Sequence, residues 1–299
     1  MIDIRLRSLL AVCETGSFTR AAERLSLSQP AVSQHVRQLE NELHVHIFER
    51  VRGALRVTRE GDIVVKYARR MQALTDNLME DLATERTQVT NLTVGITHTA
   101  ESNSIAETLA RYVSTRGGMS IKMITASVSE LFEGLKNYEL DLAIVEGSVS
   151  DARFHSVMLD TDCLILAVAP EHPLARHTMV TIEELKREKL ILRLPDSGTR
   201  NLFISALETH NLHLNDFNVV LEIDNIATIK DLIRRGFGVS VLARSACMDE
   251  LSKKKMVALP IENLTMMREI NLVYSRDFDH PELLRDIVRC YQEQSSGVN

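Results

Sequence analysis

The sequence predicts a protein in three parts: a small helical head, one long helix and a larger α/β body. Three observations lead to this expectation. Residues 2–57 show short helical periods followed by a hairpin pattern, residues 63–82 carry one continuous apolar seam, and from residue 91 strand patterns alternate with helical ones. A chain of 299 residues is long enough for two or three domains.

The composition narrows the class of protein. No stretch approaches the roughly 18–20 apolar residues that cross a bilayer, and the N-terminus lacks the apolar core and cleavage site of a signal peptide. We therefore expect a cytoplasmic protein with no membrane partner. Four isolated cysteines without a CxxC or Cys/His spacing indicate reduced thiols, no metal site and no cofactor.

Charge is unevenly distributed along the chain. The net charge is −6, but residues 1–60 hold nine Lys/Arg against seven Asp/Glu, and residues 91–299 hold 22 against 29. A slightly basic head on an acidic body fits a small DNA-reading module attached to a domain with another task.

The head reads as three helices and a hairpin. Apolar spacing predicts a helix over 2–14, which Gly16 ends, and a second over 18–25, which Ser17 caps. Ser28 caps a third helix that runs to about Leu43, with Pro30 in its first turn, where a missing N–H costs little. Residues 45–57 predict a basic hairpin with its turn at Arg52-Gly53.

Thr58 and Glu60 open the long helix, which we expect to extend to about Arg86. Its length would be about 43 Å at 1.5 Å per residue. Its apolar residues follow a spacing close to a coiled-coil seam, at Ile63, Tyr67, Met71, Leu74, Leu78 and Leu82. A partner helix is the simplest explanation for so long a one-sided stripe.

The body alternates strands and helices, which predicts mostly parallel sheets covered by helices in two small lobes. Strands are expected at 92–97, 120–125, 140–146, 163–169, 189–194, 217–223, 238–243 and 270–275. Helices are expected at 100–115, 129–138, 181–187, 199–210, 225–235, 244–251 and 280–293.

The segment over 16–43 has the pattern of a helix-turn-helix. Small Ala21 and Ala22 allow two helices to cross closely, and the outward face of the next helix carries Gln29, Ser33, Gln34 and Arg37. Such side chains can reach base edges in a DNA major groove. An ordinary helical hairpin with a solvated face is the alternative that this pattern leaves open.

The whole N-terminal region resembles the LysR-type transcriptional regulators. The matching segments are GSFTRAAERLSLSQPAVSQHVRQLENELHVHIFER, VRGALRVT and the REG that opens the long helix. LDLAIVEG, APEHPLA, SGTR and RRGFGVSVLA follow in the order of that family's regulatory domain. The resemblance implies an α + α/β fold: an N-terminal winged helix-turn-helix, a long linker helix and a two-lobed periplasmic-binding-protein-like α/β regulatory domain.

The resemblance also implies site residues. Gln29, Pro30, Ser33, Gln34 and Arg37 fall at recognition-helix positions, and Ser17, Thr19, Arg50, Arg52 and Thr58 at positions that contact the DNA backbone or minor groove. His35 is interpreted as a flanking surface residue. His44 stands where the family usually has glycine, and we expect a left-handed C-cap there.

An effector cleft is expected between the lobes, where strand ends meet helix starts rich in hydroxyl groups. The candidate effector-binding residues are Thr99, Ser102, Ser127, Ser197, Gly198 and Thr199. Each of them could instead be a plain helix cap. A small anion is the usual expectation, but Glu101 and Glu146 near the pocket rim would oppose it unless they turn outward or pair with Arg193 or Arg200, so a zwitterionic or neutral ligand is an alternative.

The expected boundaries are 1–58 for the DNA-binding domain, 59–88 for the linker and dimerisation helix, and 89–299 for the regulatory domain. Lobe I would comprise about 91–161 and 266–299, and lobe II about 162–265, with crossings near 161–164 and 264–270. The partners expected are double-stranded DNA with an inverted-repeat operator, a small-molecule effector, and a second copy in a homodimer or homotetramer.

Three other functions compete with this interpretation. An enzyme is disfavoured because the chain has no GxSxG, no Walker loop and no GxGxxG after a strand, so no catalytic residues are assigned. A freestanding solute-binding protein would not carry residues 1–60. A redox sensor would need two cysteines that meet, with Cys163 and Cys247 as the plausible pair.

Overall fold

The structure is a computed structural model that describes residues 3–87, 90–101, 105–278 and 280–296. The chain divides into two units. One comprises residues 1–90 with 136–139, and the other comprises residues 91–135 and 140–299.

The head is formed by three helices: α1 (Ile4–Thr15), α2 (Phe18–Leu25) and α3 (Gln29–Leu43). Ser17 and Ser28 cap α2 and α3 as predicted, and Gly16 ends α1 in a left-handed conformation. Ala21, Ala22 and Val32 are buried in one apolar cluster, so the two small alanines do permit close packing of the helices. His44 takes the predicted left-handed C-cap, with φ 55° and ψ 40°.

The predicted hairpin is confirmed. Strands β1 (Phe48–Val51) and β2 (Ala54–Val57) pair antiparallel, with Val51 opposite Ala54. Arg52 (φ 51°) and Gly53 (φ 84°) form the two-residue connection, and positive φ at both positions is what a type I′ hairpin turn requires.

Helix α4 (Arg59–Thr87) follows at once. Thr58 caps its start, since the Thr58 hydroxyl accepts a hydrogen bond from Gly61 N at 2.9 Å. Gly61 is needed for a close approach, because a Cβ at this position would lie 2.2 Å from the carbonyl oxygen of Ile47. Val65 and Ala68 pack with Leu9 and Leu10, whereas the predicted seam stays exposed.

The second unit contains the remaining elements. Its strands are β3 (Thr90–Ile96), β4 (Met119–Thr125), β5 (Leu142–Glu146), β6 (Phe154–Val168), β7 (Leu190–Leu192), β8 (Val219–Glu222), β9 (Ser240–Ala243), β10 (Val257–Leu259) and β11 (Met267–Ser275). Its α-helices are α5 (His98–Glu101), α6 (Ile105–Thr115), α7 (Val128–Lys136), α8 (Ile182–Arg187), α9 (Gly198–Glu208), α10 (Ile226–Arg234), α11 (Met248–Ser252) and α12 (Pro281–Ser296). Short 3₁₀ turns lie at Pro173–Arg176, Leu214–Asp216 and Ser245–Cys247.

The sheet order is β10-β6-β11-β5-β3-β4, with β9 also paired to β6. The expectation of mostly parallel sheets is only partly right. β3 pairs parallel with β5 and β7 with β8, but β11 pairs antiparallel with β5 and β6, and β6 pairs antiparallel with β9 and β10. Alternation of strands and helices predicts parallel pairing only where a helix connects neighbouring strands, and β6 and β11 are not so connected.

Two long strands join the lobes. The first part of β6 (Phe154–Cys163) pairs with β11, and its last residues pair with β9 and β10. Lobe I, made of β3–β5, α5–α7 and α12, has cores that include Ile96, Leu142 and Leu284. Lobe II, made of β7–β10 and α8–α11, has cores that include Leu166, Phe203 and Val241.

Candidate DNA-reading surface and effector cleft

The polar face of α3 is presented as predicted. Gln29, Pro30, Gln34 and Arg37 are exposed, and Ser33 is half-buried. Gln29 Nε2 donates to Ser33 Oγ at 2.8 Å, a local bond that these groups can exchange for base edges. Within the described part of the chain, the Arg37 guanidinium has no ion-pair partner, so its five donors face solvent.

The flanking candidates divide into two kinds. Thr19, Arg50 and Arg52 are exposed at the start of α2 and on the hairpin. Ser17 and Thr58 instead have structural bonds: Ser17 Oγ accepts from Arg20 N at 3.4 Å, and the Thr58 hydroxyl donates to the carbonyl of His46. A helix-capping hydroxyl can still contact a phosphate, but its primary role in this structure is to begin a helix.

Two residues hold α3 in position, and the sequence did not predict this role for either of them. His35, expected at the surface, is half-buried, and its Nδ1 lies 2.8 Å from Ser8 Oγ. Glu40 Oε1 accepts a hydrogen bond from Ile47 N at 2.8 Å. These contacts connect α3 to α1 and to the start of the hairpin. They join residues that are distant in the sequence, so no local sequence pattern predicts them.

The second unit contains a cavity of about 180 Å³ between residues of lobe I and lobe II. Most of its lining residues have polar or charged side chains, and they come from strand ends and helix starts. The lining residues are Thr97, His98, Thr99, Ala126, Ser127, Val128, Glu130, Glu146, Arg193, Leu194, Asp196, Ser197, Gly198 and Asp224. The predicted residues Thr99, Ser127, Ser197 and Gly198 are thus brought together around one cavity.

The start of α9 differs from an ordinary capped helix. Ser197 occupies the N-cap position, but its side chain makes no capping hydrogen bond. A Cβ on Gly198 would meet only Arg268 Nη1, at 3.9 Å, so the backbone is open on this side. Asn225, by contrast, is a plain cap that accepts from Thr228 N at 2.9 Å.

The carboxylates of the cavity are held by donors from the same lobe. Thr97 Oγ1 donates to Glu146 Oε1 at 2.7 Å, and Ser127 Oγ donates to Glu130 Oε2 at 2.7 Å. The hydrogen bonds from the Ser127 side chain and backbone lower the pKa of Glu130. Both carboxylates are therefore fixed at the wall, and Glu130 is held in its charged form.

The arginine pairings differ from those considered from the sequence. Arg193 Nη2 donates to Asp224 Oδ1 at 3.0 Å, and Arg200 Nη1 lies 2.7 Å from Glu222 Oε1. Neither arginine pairs with Glu146. Glu101 is exposed on α5 and, of the two glutamates expected at the rim, only Glu146 lines the cavity.

Thr199 lies behind the wall rather than on it. It is buried, and its Oγ1 is 3.5 Å from both Thr99 Oγ1 and Arg268 Nη1. Arg268 on β11 pairs with Asp162 on β6, with Nη2 and Oδ2 3.3 Å apart. A chain of buried polar groups therefore runs from the cavity to the two strands that join the lobes. Ser102 lies outside the described residues.

The thiols of Cys13, Cys163 and Cys247 are not poised for reaction. Burial raises the pKa of Cys247 to about 12 and that of Cys13 to about 11, and it also raises the pKa of Cys163. The thiolate is the reactive form, so these shifts oppose oxidation by peroxide. Among the described residues, no group of three His, Cys, Asp or Glu side chains could hold a metal ion, and no helix is both long and apolar enough to span a membrane.

Comparison with known proteins supplies the family. Residues 5–62 match the model of the bacterial regulatory helix-turn-helix protein, lysR family, and residues 86–296 match the LysR substrate binding domain. The chain is 28% identical over 280 residues to a probable RuBisCO transcriptional regulator of Cyanidium caldarium, which covers 91% of this chain and 88% of that protein. It is 25% identical over 271 residues to the HTH-type transcriptional regulator CysL of Bacillus subtilis, with 90% of each chain covered.

Solved structures agree on the fold. CbnR complexed with its target DNA superposes with a TM-score of 0.71 at 18% identity, covering 98% of this chain and 99% of that one. A full-length OxyR variant from Pseudomonas aeruginosa gives a TM-score of 0.67 at 22% identity, covering 98% and 95%. The chain belongs to the LysR family: it is a transcriptional regulator, not an enzyme, with a helix-turn-helix DNA-binding domain and an effector-binding domain.

Proposed function

We propose that this regulator reads an inverted-repeat operator as a homodimer or homotetramer and responds to a small molecule bound in the cavity between lobes I and II. In this proposal residues 1–58 are the DNA-binding domain, 59–88 the dimerisation helix and 89–299 the regulatory domain. Lobe I takes about 91–161 and 266–299, and lobe II about 162–265. A cytoplasmic location is part of the same proposal, because a regulator of this family acts on DNA.

One observation carries the effector part of the proposal. The cavity takes its walls from both lobes, with Ser127 and Glu146 from lobe I and Ser197 and Gly198 from lobe II. A ligand that contacts both lobes binds the closed form better, and only such a difference in affinity can shift the conformational equilibrium. Closure would then change the spacing of the DNA-reading heads.

A thermal-shift screen of small molecules on the full chain tests this. A ligand present at a hundred times its Kd should stabilise the native protein by about 2.7 kcal/mol. The same compound should change operator affinity or bending. A compound that raises the melting temperature equally when Ser197 and Gly198 are both replaced by bulky residues binds elsewhere and contradicts the assignment of the cleft.

The exposed seam of α4 supports assembly with a second copy. Its six side chains are 48–60% exposed, although they are apolar: Ile63, Tyr67, Met71, Leu74, Leu78 and Leu82. A continuous apolar stripe on a long helix indicates a helical partner. We infer that the partner is the same helix of another copy.

Met71→Asp tests the seam because a partner helix would bury an unpaired charge there. The variant should sediment as a smaller species than wild type at micromolar concentration. Ala83→Asp, which adds the same group on the opposite side of the helix, should leave assembly unchanged. A monomeric wild-type protein under these conditions contradicts the proposal.

A redox sensor is not favoured as a second candidate. Its premise is a reactive thiol, and burial raises the pKa of both Cys163 and Cys247. A thiol titration with and without peroxide should return the same number of free thiols.

A further inference from the structure

We propose that the effector of this cleft is a small zwitterion, with an ammonium or guanidinium group as well as a carboxylate. This inference rests on the proposed function of the cavity and deepens it. The positive group is the new element, because the charge of the cavity wall would repel a simple anion.

Charge on the wall is strongly one-sided. Four carboxylates line the cavity, those of Glu130, Glu146, Asp196 and Asp224. The wall contains one guanidinium, that of Arg193, and it is already paired with Asp224 at 3.0 Å. The histidine of this wall, His98, has its Nε2 4.0 Å from Asp224 Oδ2. Among the described residues, Glu130, Glu146 and Asp196 form no ion pair with a lysine or arginine. A ligand with a positive nitrogen group would compensate them, whereas a purely anionic ligand would add to the repulsion.

The carboxylates are fixed in place rather than free to turn away. Glu146 is held by Thr97 Oγ1 at 2.7 Å, and Glu130 is held by Ser127 N at 2.9 Å and Ser127 Oγ at 2.7 Å. Each of these bonds occupies one carboxylate oxygen. The hydrogen bonds from Ser127 lower the pKa of Glu130, so this carboxylate keeps its negative charge at neutral pH.

The cavity also has hydrogen-bond donors that a negatively charged group on the ligand could satisfy. Arg193 is 3% exposed and lines the cavity, and its Nε and Nη1 have no acceptor among the described residues. Nearby, α9 begins after Ser197, whose hydroxyl makes no capping bond, and at Gly198, where a Cβ would meet only Arg268 Nη1, at 3.9 Å. Free N–H groups at a helix start favour a carboxylate. A zwitterion satisfies these donors and the acidic wall at once.

The distribution of charge also couples this ligand to closure. Glu130 and Glu146 belong to lobe I, while Asp196 and Asp224 belong to lobe II. As the lobes approach, like charges come together and oppose closure. A cation placed between them removes that opposition, so it binds the closed form better than the open form.

Matched probes test the assignment on the full-length protein. We would screen the common amino acids by thermal shift, each beside its amine and its acid, for example L-valine, isobutylamine and 3-methylbutanoate. All probes are chloride or sodium salts at one ionic strength. Some amino acid should give a saturable shift, its amine a weaker one and its acid the weakest.

Glu146→Gln keeps an acceptor for Thr97 and removes one charge. It should weaken the best amino acid about ten- to a hundredfold, as expected for loss of a charge-assisted bond. It should leave the matched acid unchanged or slightly tighter. Glu183→Gln, on an exposed part of α8 outside the cavity wall, is the control and should alter neither.

The outcomes separate the two proposals. If acids alone bind, and Glu146→Gln tightens them, the cleft is still an effector site and the zwitterion assignment is overturned. If neither amino acids, amines nor acids bind, the assignment is also overturned. If some compound shifts the melting temperature but cleft substitutions leave its affinity unchanged, the location of the effector site fails as well.

Discussion

The DNA-reading face of α3 and the wall of the effector cleft are built in opposite ways. The α3 face comes from one continuous segment, and Gln34 and Arg37 are exposed side chains on it. The cleft wall comes from separate strand ends and helix starts, and its charged groups Glu130, Glu146 and Arg193 already hold partners within the protein.

This difference sets what each surface can recognise. Exposed side chains without fixed partners can adapt to base edges and phosphates, so their loss is felt as a loss of contacts with DNA. Fixed groups in a small cavity select a ligand by charge and by position, because an ill-matched ligand leaves them unsatisfied. Substitutions on the α3 face should therefore change DNA binding alone, and substitutions in the cleft wall should change effector binding alone.

The largest effect is expected from Arg37→Ala. If Arg37 makes a bidentate base contact, its loss should cost about 1–3 kcal/mol of operator affinity. Effector binding should not change. Binding titrations on operator and on random DNA measure this, with Arg24→Ala as the control, since Arg24 pairs with Glu14 on the head. Equal losses on both DNAs would make Arg37 a backbone contact.

The caps of α3 and α9 offer the next contrast. Ser28 Oγ accepts from Ala31 N at 3.3 Å, so Ser28→Ala should destabilise the start of α3 by about 0.5–2 kcal/mol. Ser197→Ala removes no capping bond and should change stability by less than about 0.5 kcal/mol. Hydrogen exchange of the α3 and α9 amides in the full chain reports each effect locally. Similar protection losses at both helices would contradict the contrast.

Thr199→Val probes the polar chain behind the cleft. It preserves shape but removes the hydroxyl that lies 3.5 Å from Thr99 Oγ1 and Arg268 Nη1. Because Thr199 lies behind the wall, the loss acts through Thr99 and Arg268, and we expect effector affinity to fall by no more than about 0.5–1.5 kcal/mol, the typical value of one hydrogen bond. Operator affinity without effector should match wild type. Thr209→Val at the other end of α9 serves as the control, and an unchanged effector response in both variants would make Thr199 a purely structural residue.

The smallest effect belongs to the hairpin turn. Arg52 is exposed and has a positive φ of 51°, which asparagine tolerates well. Arg52→Asn should therefore keep the turn and remove one phosphate contact. The slope of log affinity against log salt should fall by about 0.9, with similar losses on all DNA sequences. A change confined to the operator would instead assign Arg52 to base reading.

Local features of the molecule were predictable from the sequence. Ser28, His44 and the Arg52-Gly53 turn each depend on residues within four positions, so their patterns are visible in the chain. The cleft could be placed because strand ends and helix starts gather at one edge of an α/β sheet.

Features that depend on distant residues could not be predicted. Glu40 holds Ile47 through a bend of the chain, and Arg268 meets Asp162 across 106 residues. The strand β6 was expected only over 163–169, because its first half alternates with polar residues and gains its strand character from pairing with β11. The three-residue strand β10 is too short to produce a periodic pattern.

The two crossing strands also determine the order in which the regulatory domain can be completed during synthesis. The cores of lobe II draw on residues between Cys163 and Met266, a single continuous stretch. One core of lobe I needs Leu272 from β11 and Leu284, Ile287 and Tyr291 from α12, near the end of the chain.

Lobe I therefore begins to be synthesised before lobe II, but its core is completed after that of lobe II. Until α12 emerges, the apolar sides of β3 and α6 lack their cover, and incompletely covered cores are prone to aggregation. A chain that stops before α12 would keep every residue of the lobe II cores and lose the closing helix of lobe I. The yield of folded regulator should therefore depend on α12, although α12 belongs neither to the DNA-reading face of α3 nor to the wall of the cleft.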